Sequence, residues 1–177
     1  MIQSRISSLK ELLEELFAFA KLQDESYIPP PEPTDFSKCV FDCTFSFYDD
    51  FRKKGIEPNI DFTEEKLTVN GNAEVLRRTV QNIIKNALEH GKSSINLELA
   101  VRDGNAVFRC SNDTENPQDI DISKVFSRFY KASTARTQAS TGLGLSIAKS
   151  LTERSGGKIS ASINGNIFTV KIQFKII

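Results

Sequence analysis

Apolar residues open the chain at alternating spacings of four and three: Ile2, Ile6, Leu9, Leu13, Leu16 and Ala20. That heptad seam predicts a helix that packs against others in a bundle. The helix ends near Leu22, and Tyr27-Ile28-Pro29-Pro30-Pro31-Glu32-Pro33 follows. Proline fixes φ and removes a donor, so this stretch is stiff and extended and marks a domain boundary. The expected organisation is a bundle helix over residues 1–26, a proline-rich linker over 27–35 and a globular domain over 36–177.

Within the globular part, Thr34 or Asp35 is placed to cap a helix that runs to about Lys54 and closes at Gly55, with Phe36, Val40, Cys43 and Phe47 on its apolar side. Two short strands are expected near Glu57–Phe62 and Lys66–Val69, joined by a polar turn. Asn70-Gly71-Asn72 opens a helix to about Glu89, whose Val75, Leu76, Val80, Ile83, Ile84, Ala87 and Leu88 form a wide apolar stripe. Ser94–Arg102 and Asn105–Ser111 alternate around Asp103-Gly104, a strong hairpin signal. A last helix starts at Gly142-Leu143-Gly144-Leu145 and ends at Gly156-Gly157, and Lys158–Ile163 pairs with Ile167–Phe174. These elements predict an α+β fold: a two-layer sandwich with a mixed sheet of about five strands on three helices, preceded by one long bundle-forming helix.

Composition narrows the function without choosing it. The 177 residues carry 23 basic and 23 acidic side chains, so no broad positive field invites nucleic acid or an anionic membrane. A nucleotide or protein partner fits better. Cys39, Cys43 and Cys110 lack zinc-site spacing and there is a single histidine, which predicts free thiols in a reducing compartment. Cys39 and Cys43, four apart, are expected on one buried helix face.

Two patterns carry chemistry. Asn82, Asn86 and His90 recur every four residues along one edge of a mostly apolar helix, where a neutral amide oxygen suits a magnesium ion already held by phosphates. Ser140-Thr141-Gly142-Leu143-Gly144-Leu145 lets backbone amides at a helix start approach a phosphate closely. Between them runs a long polar passage, residues 112–141, broken only by Val125–Tyr130, with Lys131 and Arg136 to meet negative charge. Strand parity turns Asn112 inward with Phe108 and Cys110, and Asp113 away.

In this order the motifs resemble the ATP-binding catalytic domain of sensor histidine kinases, over roughly Thr34 to Ile177. Asn82–His90 resembles that family's N box, Val125–Tyr130 its F box and Thr141–Leu145 its second glycine box. The first helix resembles the second helix of the dimerisation and phosphoacceptor hairpin. The resemblance implies ATP and Mg²⁺ as cofactors, with Asn86 as metal ligand and Asn82 and His90 facing the phosphates. It implies that Thr141, Gly142, Leu143, Gly144 and Leu145 wrap the phosphates, that Phe126 and Phe129 anchor a lid, and that Lys131 and Arg136 engage the γ-phosphate. Asn112 replaces the usual adenine-binding aspartate, in Asn112-Asp113-Thr114-Glu115-Asn116 without a glycine; its amide could turn to donate to guanine, which predicts softer base discrimination. Ser140 stands for the first glycine of the second box, and Glu89 where many relatives carry a basic residue.

The implied activity is transfer of the ATP γ-phosphate to a histidine absent from this chain, on a phosphoacceptor helix of a homodimeric, membrane-anchored bacterial parent with a response regulator downstream. The chain would be its cytoplasmic catalytic piece. Two alternatives are a nucleotide-binding regulatory module without transfer activity and an anti-sigma-factor type serine kinase, the latter disfavoured by the heptad helix.

Overall fold

The computed structural model describes residues 13, 30–132 and 141–177. Apart from Leu13, the heptad seam lies outside them, as do Arg136 and Ser140.

Strand β1 (Glu32–Asp35) takes up the end of the proline-rich stretch and pairs antiparallel with β3 (Thr68–Gly71) in a two-stranded sheet. Of the two candidate caps, Asp35 serves α1 (Phe36–Ser46): its carboxylate accepts from the Lys38 amide at 2.9 Å. Thr34 instead donates to the Gly71 carbonyl at 2.6 Å and ties β1 to β3. The predicted single helix to Lys54 is broken at Phe47, and α2 (Tyr48–Lys54) continues after it. Hydroxyls cause the break: Thr44 donates to the Val40 carbonyl and Ser46 to that of Cys43, and Phe47 N bonds back to Thr44 rather than Cys43. The described residues therefore hold four helices where three were expected.

The other sheet has order β2-β4-β5-β7-β6, with β2 (Asn59–Phe62), β4 (Ile95–Arg102), β5 (Asn105–Asp113), β6 (Lys158–Asn164) and β7 (Ile167–Lys175). It is mixed, since β2 runs parallel to β4 and the remaining pairs are antiparallel. The two early strands thus belong to different sheets. Leu67 decides this: its carbonyl accepts from Phe36 N and its amide donates to Ser37 Oγ, drawing β3 to the start of α1 and away from β2.

Helix α3 (Ala73–His90) begins at Asn72, whose Oδ1 accepts from the amides of Glu74 and Val75. Its apolar stripe joins Phe36 and Val40 of α1, Leu97 and Leu99 of β4, Phe108 and Cys110 of β5, and Ile172 and Phe174 of β7 in one buried core. Helix α4 (Gly144–Arg154) packs beside α3 through a smaller cluster of Val75, Leu143, Ile147 and Leu151. Cys39, Cys43 and Cys110 are buried. The arrangement is the expected two-layer α+β sandwich. No helix among the described residues is long and apolar enough to cross a membrane.

Phe108 is fully buried at the centre of the main core. Truncating it, Phe108→Ala, is expected to lower unfolding free energy by about 3–5 kcal/mol, read as a lower guanidinium midpoint at unchanged slope.

Candidate functional site

The rotation of α3 about its axis is set by its stripe, so the polar edge has no freedom of its own. Asn82, Asn86 and His90 come out partly buried along that edge. Asn82 Nδ2 is sealed from solvent without a hydrogen-bond partner, alone in this among the buried side-chain nitrogens and oxygens of the described residues. An orphaned amide of this kind costs about 1–3 kcal/mol. Asn82 Oδ1 lies 4.0 Å from where a Cβ on Gly144 would stand, so the residue faces the first turn of α4.

That first turn is open. Leu143 sits at its N-cap with no side-chain cap, and helical geometry gives the amides of Gly144, Leu145 and Ser146 no acceptor within the helix. Thr141 Oγ1 accepts from Leu143 N at 3.2 Å, which holds the turn in shape. The side chains of Leu143 and Leu145 are buried, so these two residues offer a ligand only their backbone. Gly142 adopts φ +73°, and a Cβ there would lie 2.8 Å from the Tyr130 carbonyl oxygen and 2.9 Å from the Phe129 carbonyl carbon. Only glycine fits this approach. It brings the Val125–Tyr130 patch against the glycine turn.

Within that patch Phe126 packs partly buried on the core, with Lys149 Nζ 5.8 Å from its ring centroid. Phe129 faces outward, 62% exposed, and its φ of +59° is a left-handed conformation rare for a phenylalanine. Tyr130 Oη accepts from the Asp121 amide at 2.7 Å, bracing the loop from behind.

At the other end of the polar edge, burial lowers the pKa of His90, and the charges of Lys54 and Lys131 lower it further. The charge of Lys131 therefore acts on His90. Lys54 is a cation the sequence reading missed: it closes α2, and its Nζ donates to the Leu88 carbonyl in the last turn of α3. Burial lowers its pKa against the pull of Glu89 and Asp113. Nothing local in the sequence signals this, because the partner lies on another helix.

The end of β5 completes the site. Asn112 is buried, inward as parity requires, and sits so close to the end of α3 that a Cβ on Gly91 would be 3.1 Å from its own. Asp113 turns the other way but is not idle. Its Oδ1 accepts from the amides of Lys92, Ser93 and Ser94, each at 3.0 Å, and its Oδ2 from Ser93 Oγ at 2.6 Å. Burial pushes this carboxyl up, yet the bonds from Ser93, Ser94 and Lys92 outweigh it and hold it well below the usual carboxylate range. Asp113 thus pins the loop after α3 to the end of β5, a role the sequence reading did not assign.

Residues 71–176 match the model of the histidine kinase-, DNA gyrase B- and HSP90-like ATPases. The chain belongs to this ATPase family. Sensor histidine kinase YcbM of Bacillus subtilis is 28% identical over 163 residues, 90% of this chain and 52% of that protein. The chain spans about half the length of the curated relatives it matches. Among solved structures, the nucleotide-free catalytic domain of histidine kinase ThkA superposes with a TM-score of 0.71 at 20% identity, covering 84% of this chain and 97% of that one. ThkA in complex with response regulator protein TrrA gives 0.77 at 18% identity, covering 99% of this chain and 49% of that one. These likenesses show the fold. The ATPase domain is a nucleotide-binding unit whose family-matched residues include α3, the end of β5 and the glycine turn.

Two measurements check the site's electrostatics. Asp113 has a folded pKa below its unfolded one, so the stability it supplies is present above about pH 4 and is lost as the pH falls toward the folded value. Asp113→Ala is expected to cost about 2–4 kcal/mol at pH 7, with the gap to wild type closing in denaturant melts below about pH 4. The lone imidazole makes a clean NMR probe: its titration midpoint is expected below about 6.5, leaving His90 neutral at pH 7, and a midpoint above that value contradicts the burial described.

Proposed function

We propose that this chain is the ATP-binding catalytic piece of a two-component sensor histidine kinase, carrying the γ-phosphate of ATP to a histidine on a separate phosphoacceptor helix. The observation that carries it is the unpartnered Asn82 amide facing the uncapped first turn of α4. A buried amide without a partner, beside a row of backbone amides left open at a helix start, marks a place that an anionic ligand suits.

In this reading the open amides of Gly144, Leu145 and Ser146 and the close backbone of Gly142 receive phosphate oxygens, and Thr141 steadies the turn. Asn86, one turn beyond Asn82, holds Mg²⁺ through its neutral Oδ1, and the metal supplies neutralisation of phosphate charge. The residues present fit that group, because a hard oxygen donor beside a phosphate site leaves the remaining ligands to phosphate and water. Lys131 and His90 meet the outer phosphates, with Arg136 in the segment between; Lys54 adds positive charge behind them. Phe126 anchors the loop to the core and leaves Phe129 outward, as a lid hinged at Gly142 needs. Asn112 contacts the base.

No carboxylate stands at Asn82 or Asn86 to activate water. An amide there favours transfer to an already nucleophilic neutral imidazole over hydrolysis, so positioning and charge neutralisation account for the catalysis. The phosphoacceptor helix, a homodimeric parent anchored in the bacterial membrane with this part on its cytoplasmic side, and a response regulator partner belong to the same proposal. The organisation over 1–26, 27–35 and 36–177 goes with it. The TrrA complex of ThkA supports the partner class.

Calorimetry with ATP and Mg²⁺ tests this. Asn86→Ala is expected to lose Mg²⁺-dependent ATP binding by at least about tenfold with an unchanged circular dichroism melt. Mixing wild type with a separately made phosphoacceptor hairpin and labelled ATP should put label on the hairpin histidine. ATP binding without that label favours the regulatory module instead.

A further inference from the structure

We infer that Lys54 is a positioning residue of the nucleotide site: from α2 it caps the end of α3 in place of the chain's own backbone, and so holds the last turn of α3, with His90 on it, beside the end of β5. The inference deepens the proposed nucleotide site and rests on that reading.

A helix end leaves its last carbonyls without donors, and the common remedy is backbone: the chain turns left-handed and the next amides point back into the last turn. Helix α3 does not end that way. Gly91 is extended, at φ −68° and ψ 142°, and its amide returns to the Ala87 carbonyl at 2.7 Å. Lys92 N is the amide that would continue the i to i−4 pattern onto Leu88. It donates instead to Asp113 Oδ1 at 3.0 Å, and the amides of Ser93 and Ser94 follow it onto the same carboxylate. The Leu88 carbonyl is left to Lys54, whose Nζ donates to it.

Lys54 is anchored for this reach. It is the last residue of α2 and stands between Phe51 and Ile56, both buried. Gly55, at φ +69°, reverses the chain so that Ile56 N closes on the Phe51 carbonyl at 3.0 Å. The end of α2 is thus fixed in the core while its ammonium crosses to α3, where it also meets the negative end of the helix dipole. The charges of Glu89 and Asp113 act on it. The end of α3 is therefore gripped from two sides, by a cation on its carbonyl and by an anion on the amides that follow.

Were Lys92 N to return to Leu88, α3 would run on by a residue and Asp113 would lose an amide. Gly91 would then leave the extended conformation that brings it against Asn112, where a Cβ on it would lie 3.1 Å from the Asn112 Cβ. His90, the last residue of α3, moves with that turn. By occupying the acceptor, Lys54 removes this competition and stops the helix at one residue. Groups that face a ligand keep a productive geometry only while such supporting contacts hold them.

Calorimetric titration of the whole chain with Mg²⁺-ATP, comparing wild type with Lys54→Met and Lys54→Arg, tests the inference. Lys54→Met keeps the stem and loses the donor, and is expected to weaken ATP binding roughly tenfold, whereas Lys54→Arg keeps a charged donor and should stay within about threefold of wild type. A contact that served stability alone would lower the melting temperature of Lys54→Met and leave the affinity of the folded protein as it was. A readout on wild type needs no variant: a through-hydrogen-bond NMR coupling should join Lys54 Nζ to the Leu88 carbonyl carbon. Lys54→Met affinity within about twofold of wild type, Lys54→Arg no better than Lys54→Met, or no such coupling overturns the inference alone, because nucleotide then binds without this cap. Failure of wild type to bind ATP overturns it together with the site reading.

Discussion

Helix α3 has to satisfy two solvents, and the structure depends on how it does so. Val80, Ile83, Ile84 and Ala87 are sealed against the sheet. That leaves the helix one rotation about its axis, and the 3.6-residue period then dictates where Asn82, Asn86 and His90 stand. The polar edge is positioned by apolar packing to which it contributes nothing. The unpartnered Asn82 amide shows that the edge is held against its own preference, a stability cost kept where local rules yield to function.

The rest of the site is brought to that edge by close approaches and saturated hydrogen bonds. Gly142 lets the loop backbone at Phe129 and Tyr130 run against the start of α4, and Gly91 lets the end of β5 close on the end of α3. Asp113 then secures the loop between α3 and β4 with five bonds to one carboxylate. Four chain segments far apart in sequence are held together with few side chains directed outward. In the proposed site the ligand-facing groups are mainly amides of side chain or backbone, neutral donors and acceptors whose charge does not change with pH, and the charges of Lys54 and Lys131 act at the His90 end.

What the sequence made legible follows from the range of the forces involved. The stripe of α3, the Asn72 region as its start, the Asp103-Gly104 turn with both φ values positive, and the last hairpin are local patterns, and the structure has them. The inward turn of Asn112 followed from parity alone. The break at Phe47 did not show, because Thr44 and Ser46 read as tolerable helix residues until their hydroxyls are seen on the Val40 and Cys43 carbonyls. The placement of β3 beside β1 depends on Leu67 meeting Phe36 and Ser37, some thirty residues away in sequence. Lys54 and Asp113 were missed for the same reason. Both act on backbone groups of another element, and a side chain that serves distant backbone leaves no periodic or motif signal.

The central claim is that the Asn86 edge and the glycine turn grip one metal-bound triphosphate. Replacing Mg²⁺ with paramagnetic Mn²⁺ and recording amide resonances with ATP present tests it most directly. The account predicts that amides around Asn86 and those of Gly142 to Ser146 broaden together, at sub-stoichiometric Mn²⁺ and only when ATP is added. Broadening at one segment without the other, or at neither, would contradict it.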